Sequence, residues 1–387
     1  MKSLAPQTQH AALVTGDHDH RARQDFAFTL RNLVTSEWMP GTKTVFDRRA
    51  APAWAKAHGK PPETPRDIRA AMDADNWYRF YLSARRTSQE LIWSSVIPAV
   101  ETAEPAPAPA PAPEPAGGSL TLDASVVAPR YVSAIDIHCM PGGYAEDRGD
   151  AATGAVYDRG VHLYMSGLMG PLNDVVGRLG VGWLKANHPE FAPRRILDIG
   201  CAVGHATLPY ADAYPDAELH GLDVGASLLR YAHTRAESLG KAVHFHQMDA
   251  EHTAFPDGHF DLITSHIVLH ETSTRALPAI FAECRRLLRP GGVMLHIDQP
   301  RFDGADAWST FLQENEVHYN NEPFWRRYRN TDLSDVARGA GFAEDEIETD
   351  ILAAAVVQQS QNNAKLTPEQ AAAKKRGFGL IAGWKRA

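Results

Sequence analysis

The chain predicts an α/β fold, an open and mostly parallel sheet flanked by helices, with a helical domain in front of it. Three observations carry this. From Arg194 onward, short apolar runs alternate with helix-length amphipathic stretches, the pattern of parallel strands joined by crossover helices. The first run, Arg195-Ile196-Leu197-Asp198-Ile199, enters a turn that carries Gly200 and Gly204. Glycine there lets backbone approach a ligand closely. Residues 104–118 alternate proline with alanine and end in Gly117-Gly118. Such a run lacks backbone donors and favours extended polyproline II. It divides the chain into 1–103, a linker at 104–118, and 119–387.

Composition narrows the function classes. A chain of 387 residues exceeds one small core, and 44% hydrophobic with 22% charged residues is ordinary for a soluble globular protein. A net charge of −8 leaves no electrostatic footprint for nucleic acid. Cys139, Cys201 and Cys284 form no Cys-x-x-Cys pair, which argues against a disulfide scaffold or zinc-thiolate site and fits a reducing compartment. No apolar run reaches membrane-spanning length and no signal-peptide core opens the chain. The expectation is a cytoplasmic protein without nucleic-acid or membrane partners.

In the N-terminal domain, polar residues 1–22 predict a disordered tail, including the His/Asp run at Gly16–His20. Phe26, Phe28, Leu30 and Leu33 then suggest a helix, and Pro61, Pro62 and Pro65 interrupt it. A second helical run from Ile68 to Val96 carries Trp77, Tyr78, Phe80, Tyr81 and Trp93. These aromatics are too dense for one narrow stripe and predict burial on more than one side, in a core rather than around a substrate.

After the linker, Val132–Tyr144 is apolar and ends in a turn, followed by Tyr157-Asp158-Arg159 and a helix predicted through Leu163, Leu168, Leu172, Val175 and Leu179. The second strand, Leu219–Val224, ends on Asp223, whose carboxylate suits a ribose diol or caps the helix that follows. The third, Val243–Asp249, leads into Asp249-Ala250-Glu251. The fourth, Phe260–His266, runs into His270-Glu271. A helix at 275–288, a glycine stop at Pro290-Gly291-Gly292, and a fifth strand ending at Asp298 come next. An aromatic and polar stretch at 308–329, a helix at 333–340, a strand at 344–357, a polar insertion at 358–376 and a last strand at 377–384 complete the chain.

The motif Asp198-x-Gly200-x-Ala202-x-Gly204, the acid at Asp223, the Asp249-Ala250 segment and Arg286-Leu-Leu-Arg289-Pro290-Gly291-Gly292 resemble class I S-adenosylmethionine-dependent methyltransferases, over 194 to about 298. The Asp249 segment is similar to the quinone-biosynthesis type. The resemblance implies a Rossmann-like sheet of order 3-2-1-4-5-7-6 with an antiparallel last strand, and S-adenosyl-L-methionine as cofactor. It implies cofactor contacts at Asp198, Gly200, Ala202, Gly204, Asp223 for ribose, Asp249 for the adenine amine, Ala250 through its backbone, His266 and Tyr157. Glu251 is the alternative to Asp249, and Tyr144 accompanies Tyr157 at the methionine end. Ala202 departs from the family's middle glycine and fits if its φ is negative.

Methyl transfer needs an aligned nucleophile and a group to take its proton. His270 and His266 are the candidate bases, with Glu271 orienting or replacing one; a structural hydrogen bond is the alternative for each. No metal is expected, although His266, His296 and Asp298 would be the set in a metal-assisted variant. His138 and Cys139 are either polar pocket residues or ordinary half-buried ones. The expected function is methyl transfer to a small-molecule acceptor. Alternatives are a protein or RNA methyltransferase and a non-catalytic regulatory module. The glycine spacing disfavours a nicotinamide dehydrogenase. The acceptor atom stays open, and the N-terminal helices could pair across a homodimer.

Overall fold

The computed structural model describes residues 4–103, 116–302, 304–352 and 377–386. Most of the predicted linker, 104–115, and the predicted insertion at 358–376 lie outside the described residues.

Among the described residues, eight strands form one sheet. They are β1 Ser119–Thr121, β2 Arg195–Ile199, β3 Glu218–Asp223, β4 His244–Gln247, β5 Phe260–His266, β6 Leu288–Asp298, β7 Ile347–Leu352 and β8 Phe378–Trp384. Their order is β1-β4-β3-β2-β5-β6-β8-β7, with β8 antiparallel to both neighbours. Counted from β2, this is the predicted 3-2-1-4-5-7-6. The short edge strand β1, parallel to β4, is an addition; its three residues carry no alternation to read.

Alternation along the strands builds two cores. Ile196, Leu262, Val293, Leu295 and Leu380 face the helices Val175–Asn187, Leu208–Ala213 and Ala226–Ser238. Leu197, Ile199, Ile263, Met294 and Ile381 face the helices Ala276–Leu287 and Leu333–Gly339. Every residue of β5 is buried, as expected for a central strand covered on both faces.

The single helix predicted across 163–179 is two, Ala152–Tyr164 and Val175–Asn187. Gly167, Gly170 and Pro171 between them end the first helix, which overrides the apolar spacing.

A nearly unbroken helical path runs from His18 to His58, followed by Pro65–Met72 and the long helix Asn76–Glu101. These helices do not form a separate core. Phe28, Ile92, Trp93 and Val96 pack with Cys139, Met140, Val156 and Leu163, and Tyr78, Tyr81 and Leu82 pack with Phe311. The N-terminal part therefore grips the segments before β2 and after β6, where they border the carboxyl ends of the strands.

The disordered tail expected for 1–22 is corrected over residues 4–22. Asp17 caps the helix that starts at His18. Gln7 and His10 reach the buried carboxylate of Asp158, and the Ala5 carbonyl meets His162. Polar residues order here because a buried charge needs hydrogen-bond partners, a demand set in another part of the chain.

Candidate active site

The carboxyl ends of β2, β3 and β5 open onto one cleft. It lies where the strand order reverses between β2 and β5, the usual ligand position in open parallel sheets.

The turn after β2 forms one wall. Gly200 has a φ of 65°, and a Cβ there would sit 2.8 Å from both Val268 methyl groups. Only glycine fits. Ala202 also lies in the left-handed region, at φ 44°, so the negative φ expected of it is corrected. Its amide donates to Asp223 Oδ2 at 3.0 Å, which fixes the turn in that strained state. A left-handed alanine costs about 1–2 kcal/mol, of which the added chain entropy of a glycine would return about half. Ala202→Gly is therefore expected to raise the melting temperature by about 1–2 °C in a thermal scan.

Asp223 closes β3. Its Oδ1 accepts the Gly225 amide at 2.9 Å. No side chain caps the following helix, so the carboxylate serves the loops while both oxygens keep a lone pair free. Burial pushes its pKa up, against the amides of Gly225 and Ala202, which pull it down. Asp249, Ala250 and Met248 line the cleft beyond it, with Asp249 Oδ1 accepting the Glu251 amide at 2.9 Å. Glu251 itself is off the cleft and accepts from the Tyr131 hydroxyl at 3.0 Å. Tyr157 and Tyr144 meet edge to face at 5.5 Å on the opposite wall, and Tyr157 stacks on His205 at 5.8 Å.

Asp198, Gly200, Ala202, Asp223, Asp249, Ala250, His266 and Tyr157 thus all line the cleft. Gly204 does not, a correction; its carbonyl accepts from the buried Arg235 and its α-carbon faces Phe245.

The candidate bases divide. His266 has both ring nitrogens engaged, Nδ1 at 3.3 Å from Asp198 Oδ1 and Nε2 at 3.1 Å from the Tyr210 hydroxyl. It ties β5 to β2 and has no nitrogen free for a substrate proton. His270 is fully buried beside the cleft rather than lining it. Its Nδ1 lies 2.6 Å from Asp298 Oδ1. Burial alone would lower its pKa, but Asp298, Glu322 and Glu271 raise it to about 9. These carboxylates favour the charged imidazole, the form that holds a proton rather than takes one. Glu271 does line the cleft; its Oε1 lies 2.9 Å from His138 Nε2 and 3.4 Å from the Tyr144 hydroxyl.

The predicted alternative metal set does not assemble. His296 pairs with Ser265 at 2.7 Å and approaches Cys284, and burial lowers its pKa to about 3, while Asp298 holds His270.

Sequence reasoning missed His205 on the cleft wall and Glu322 behind it, and left His138 undecided. His138 belongs to the site. Only its sharing of an apolar segment with Tyr144 hinted at this; Glu322 comes from a stretch 51 residues after Glu271, and no spacing rule links the two.

The fold is an open, mostly parallel sheet with a cleft at its switch point. Residues 196–292 match the family model described as a methyltransferase domain. Over this domain the chain is similar to the class I S-adenosylmethionine-dependent methyltransferases, whose cofactor is S-adenosylmethionine. A demethylmenaquinone methyltransferase of Thermus thermophilus is 34% identical over 111 residues, 29% of this chain and 50% of that protein. A trans-aconitate 2-methyltransferase of Methylobacterium radiotolerans is 38% identical over 113 residues, 29% of this chain and 40% of that one. A tRNA N(3)-methylcytidine methyltransferase of Drosophila melanogaster is 29% identical over 139 residues, 32% and 43% of the two chains. The matched segments span half or less of each relative.

Proposed function

We propose that the chain transfers a methyl group from S-adenosylmethionine to a small-molecule acceptor. The observation that carries this is the cleft itself, where residues from five separate sequence segments line one space at the strand ends. The residues fit the cofactor. Gly200 keeps the turn's backbone on the cleft wall, and Asp223 offers two oxygens with spare lone pairs to a diol. Asp249 offers acceptors to an exocyclic amine, and Tyr157 and Tyr144 supply an aromatic wall. When bound, S-adenosylmethionine supplies a methyl already activated on its sulfonium.

The protein's remaining task is to hold the acceptor and exclude water. Glu271 is the ionisable group of the His138–His270–Glu271 trio that faces the cleft, so it is the point at which the acceptor's reacting atom is held. A small acceptor suits a cleft lined by Tyr131, Tyr144 and Tyr157, and the net charge of −8 disfavours an RNA substrate such as the Drosophila relative's name describes. The names of the other two relatives describe small acceptors.

Calorimetric titration with S-adenosylmethionine and, separately, NADH tests the cofactor half: binding of the first alone is expected. A radiolabelled-methyl screen of metabolite extracts tests the acceptor half. Glu271→Gln is expected to leave cofactor affinity unchanged and to lower turnover on any acceptor found, by about 10–100-fold. Undiminished turnover would remove Glu271 from the acceptor site.

A further inference from the structure

Behind the cleft, three segments bring ionisable groups to one point. His138 sits in a tight turn, Ile137–Cys139, and His270 and Glu271 end another, Leu269–Glu271; Glu322 comes from the stretch after β6. His138 Nε2 lies 2.9 Å from Glu271 Oε1, and His270 Nε2 lies 3.8 Å from the same oxygen and 3.7 Å from Glu322 Oε2. A tetrahedral ion with ligand bonds of about 2.0–2.2 Å sets its ligand atoms about 3.3–3.5 Å apart, and these separations bracket that value. His138, His270 and Glu271 have one ligand atom each within 4.8 Å of the others.

Three independent features point inward. Glu322 is 3% exposed, yet its Oε2 has no hydrogen-bond partner. A buried carboxylate oxygen left so is costly, and the nearest cationic atom, His270 Nε2 at 3.7 Å, stands beyond hydrogen-bond reach. Each ring is also oriented from behind by a carboxylate: Asp298 Oδ1 lies 2.6 Å from His270 Nδ1, and Glu322 Oε1 lies 3.2 Å from His138 Nδ1. That is how metal-ligating histidines are set, with Nε2 aimed at the ion. Finally, His138 and Cys139 both hold left-handed backbones, at φ 55° and 61°. The strained turn is kept by Gln89 Nε2 and Trp93 Nε1, which donate to the His138 carbonyl at 2.8 and 2.7 Å. Backbone strain held by surrounding structure is typical of functional positions.

We propose that His138, His270 and Glu271, with the buried Glu322 carboxylate beside them, bind a divalent first-row transition-metal ion that receives an oxygen of the methyl acceptor. The two imidazoles select zinc-like ions over magnesium or calcium, which favour all-oxygen sets. Glu271 and Tyr144 place the ion at the cleft, so the acceptor class is one that presents a hydroxyl, enol or carboxylate oxygen to a metal. The acceptor clause rests on the methyltransferase reading; the metal clause does not.

The test uses the full chain, stripped with a chelator and titrated with Co(II), then with Zn(II) as competitor. The expected result is one Co(II) per chain with the visible absorption of a low-symmetry site, displaced by Zn(II). Asp298→Asn is expected to weaken binding by about 10–100-fold, and Glu271→Gln and His138→Gln by more. His246→Gln, in the histidine group on β3 and β4, should change nothing. Circular dichroism checks folding, and Glu322→Gln replaces any variant that does not fold. Absence of a saturable site, or a site lost in His246→Gln and kept in Glu271→Gln, overturns the proposal. S-adenosylmethionine titration of the same samples separates the two readings: cofactor binding without metal binding removes only the metal, and the converse removes only the methyltransferase assignment.

Discussion

Asp158→Ala is expected to cost roughly 3–5 kcal/mol of folding stability, measured by urea denaturation. The carboxylate is fully buried. Its Oδ1 accepts from Gln7 at 2.8 Å, His205 at 2.8 Å and Asn173 at 3.2 Å, and its Oδ2 from the Tyr231 hydroxyl at 2.8 Å. His10 meets Oδ2 at 3.1 Å, and the equally buried Arg235 lies 3.7 Å away. Removing the carboxylate leaves the Arg235 charge uncompensated inside the protein and orphans several donors at once. Asp158→Asn keeps one acceptor and should lose less. The damage should be local as well as global. Residues 4–17 dock through Gln7 and His10, so limited proteolysis should cut the variant ahead of the helix at His18 while the wild type resists. A loss under about 1 kcal/mol would mean that the network adds nothing beyond packing.

The same residue sets an acid limit. Burial would raise the Asp158 pKa, but His205, His10 and Arg235 more than offset it and hold the carboxyl well below its ordinary 3.8. His205 is itself pushed down by burial, against the Asp158 carboxylate beside it. A depressed acid stabilises the fold fully above the unfolded value of 3.8, and that share is lost as pH falls through the folded value. Acid unfolding should therefore be shallower in Asp158→Asn than in the wild type over that window.

What the sequence showed and what it hid follow from the range of the interactions involved. The sheet, β1 apart, was legible because its strands are short runs bounded by local turn and helix signals, and the interiors of β2, β5 and β6 carry apolar residues on both faces. Asp198, Asp223 and Asp249 were legible because strand-end acids keep a fixed relation to the turns that follow them. The division of labour among the histidines was not. Whether His266 is a strut depends on Tyr210 and Asp198, and whether His270 carries a proton depends on Asp298 and Glu322, residues 28 and 52 positions away in sequence. The order of residues 4–17 was hidden for the same reason. Their composition is that of a solvated tail, and groups about 150 positions on, the buried Asp158 and His162, recruit them.

Asp223→Ala is expected to weaken S-adenosylmethionine binding by roughly 100- to 1,000-fold in calorimetric titration, the equivalent of two charge-assisted hydrogen bonds of about 1.5–2 kcal/mol each. The variant removes the acceptors for the ribose and also frees the Ala202 amide, whose bond to Oδ2 holds the left-handed turn. Asp223→Asn separates these effects. Its amide nitrogen must face either the Ala202 or the Gly225 donor, so it retains one of two loop contacts and loses the charge. The pH dependence has an unusual sign. Because burial raises the Asp223 pKa, the folded apo protein binds this proton more tightly than the unfolded chain does. That contribution stabilises the apo fold fully below 3.8 and disappears as pH rises through the folded value. A ribose diol donates hydrogen bonds and prefers the carboxylate, so cofactor affinity should climb over the same interval in which apo stability from this group declines. Titrations across that interval should show one proton released per cofactor bound at its acid end and none at its basic end, with the difference absent in Asp223→Asn. Equal proton release in wild type and variant would place the ribose contact elsewhere on the strand ends.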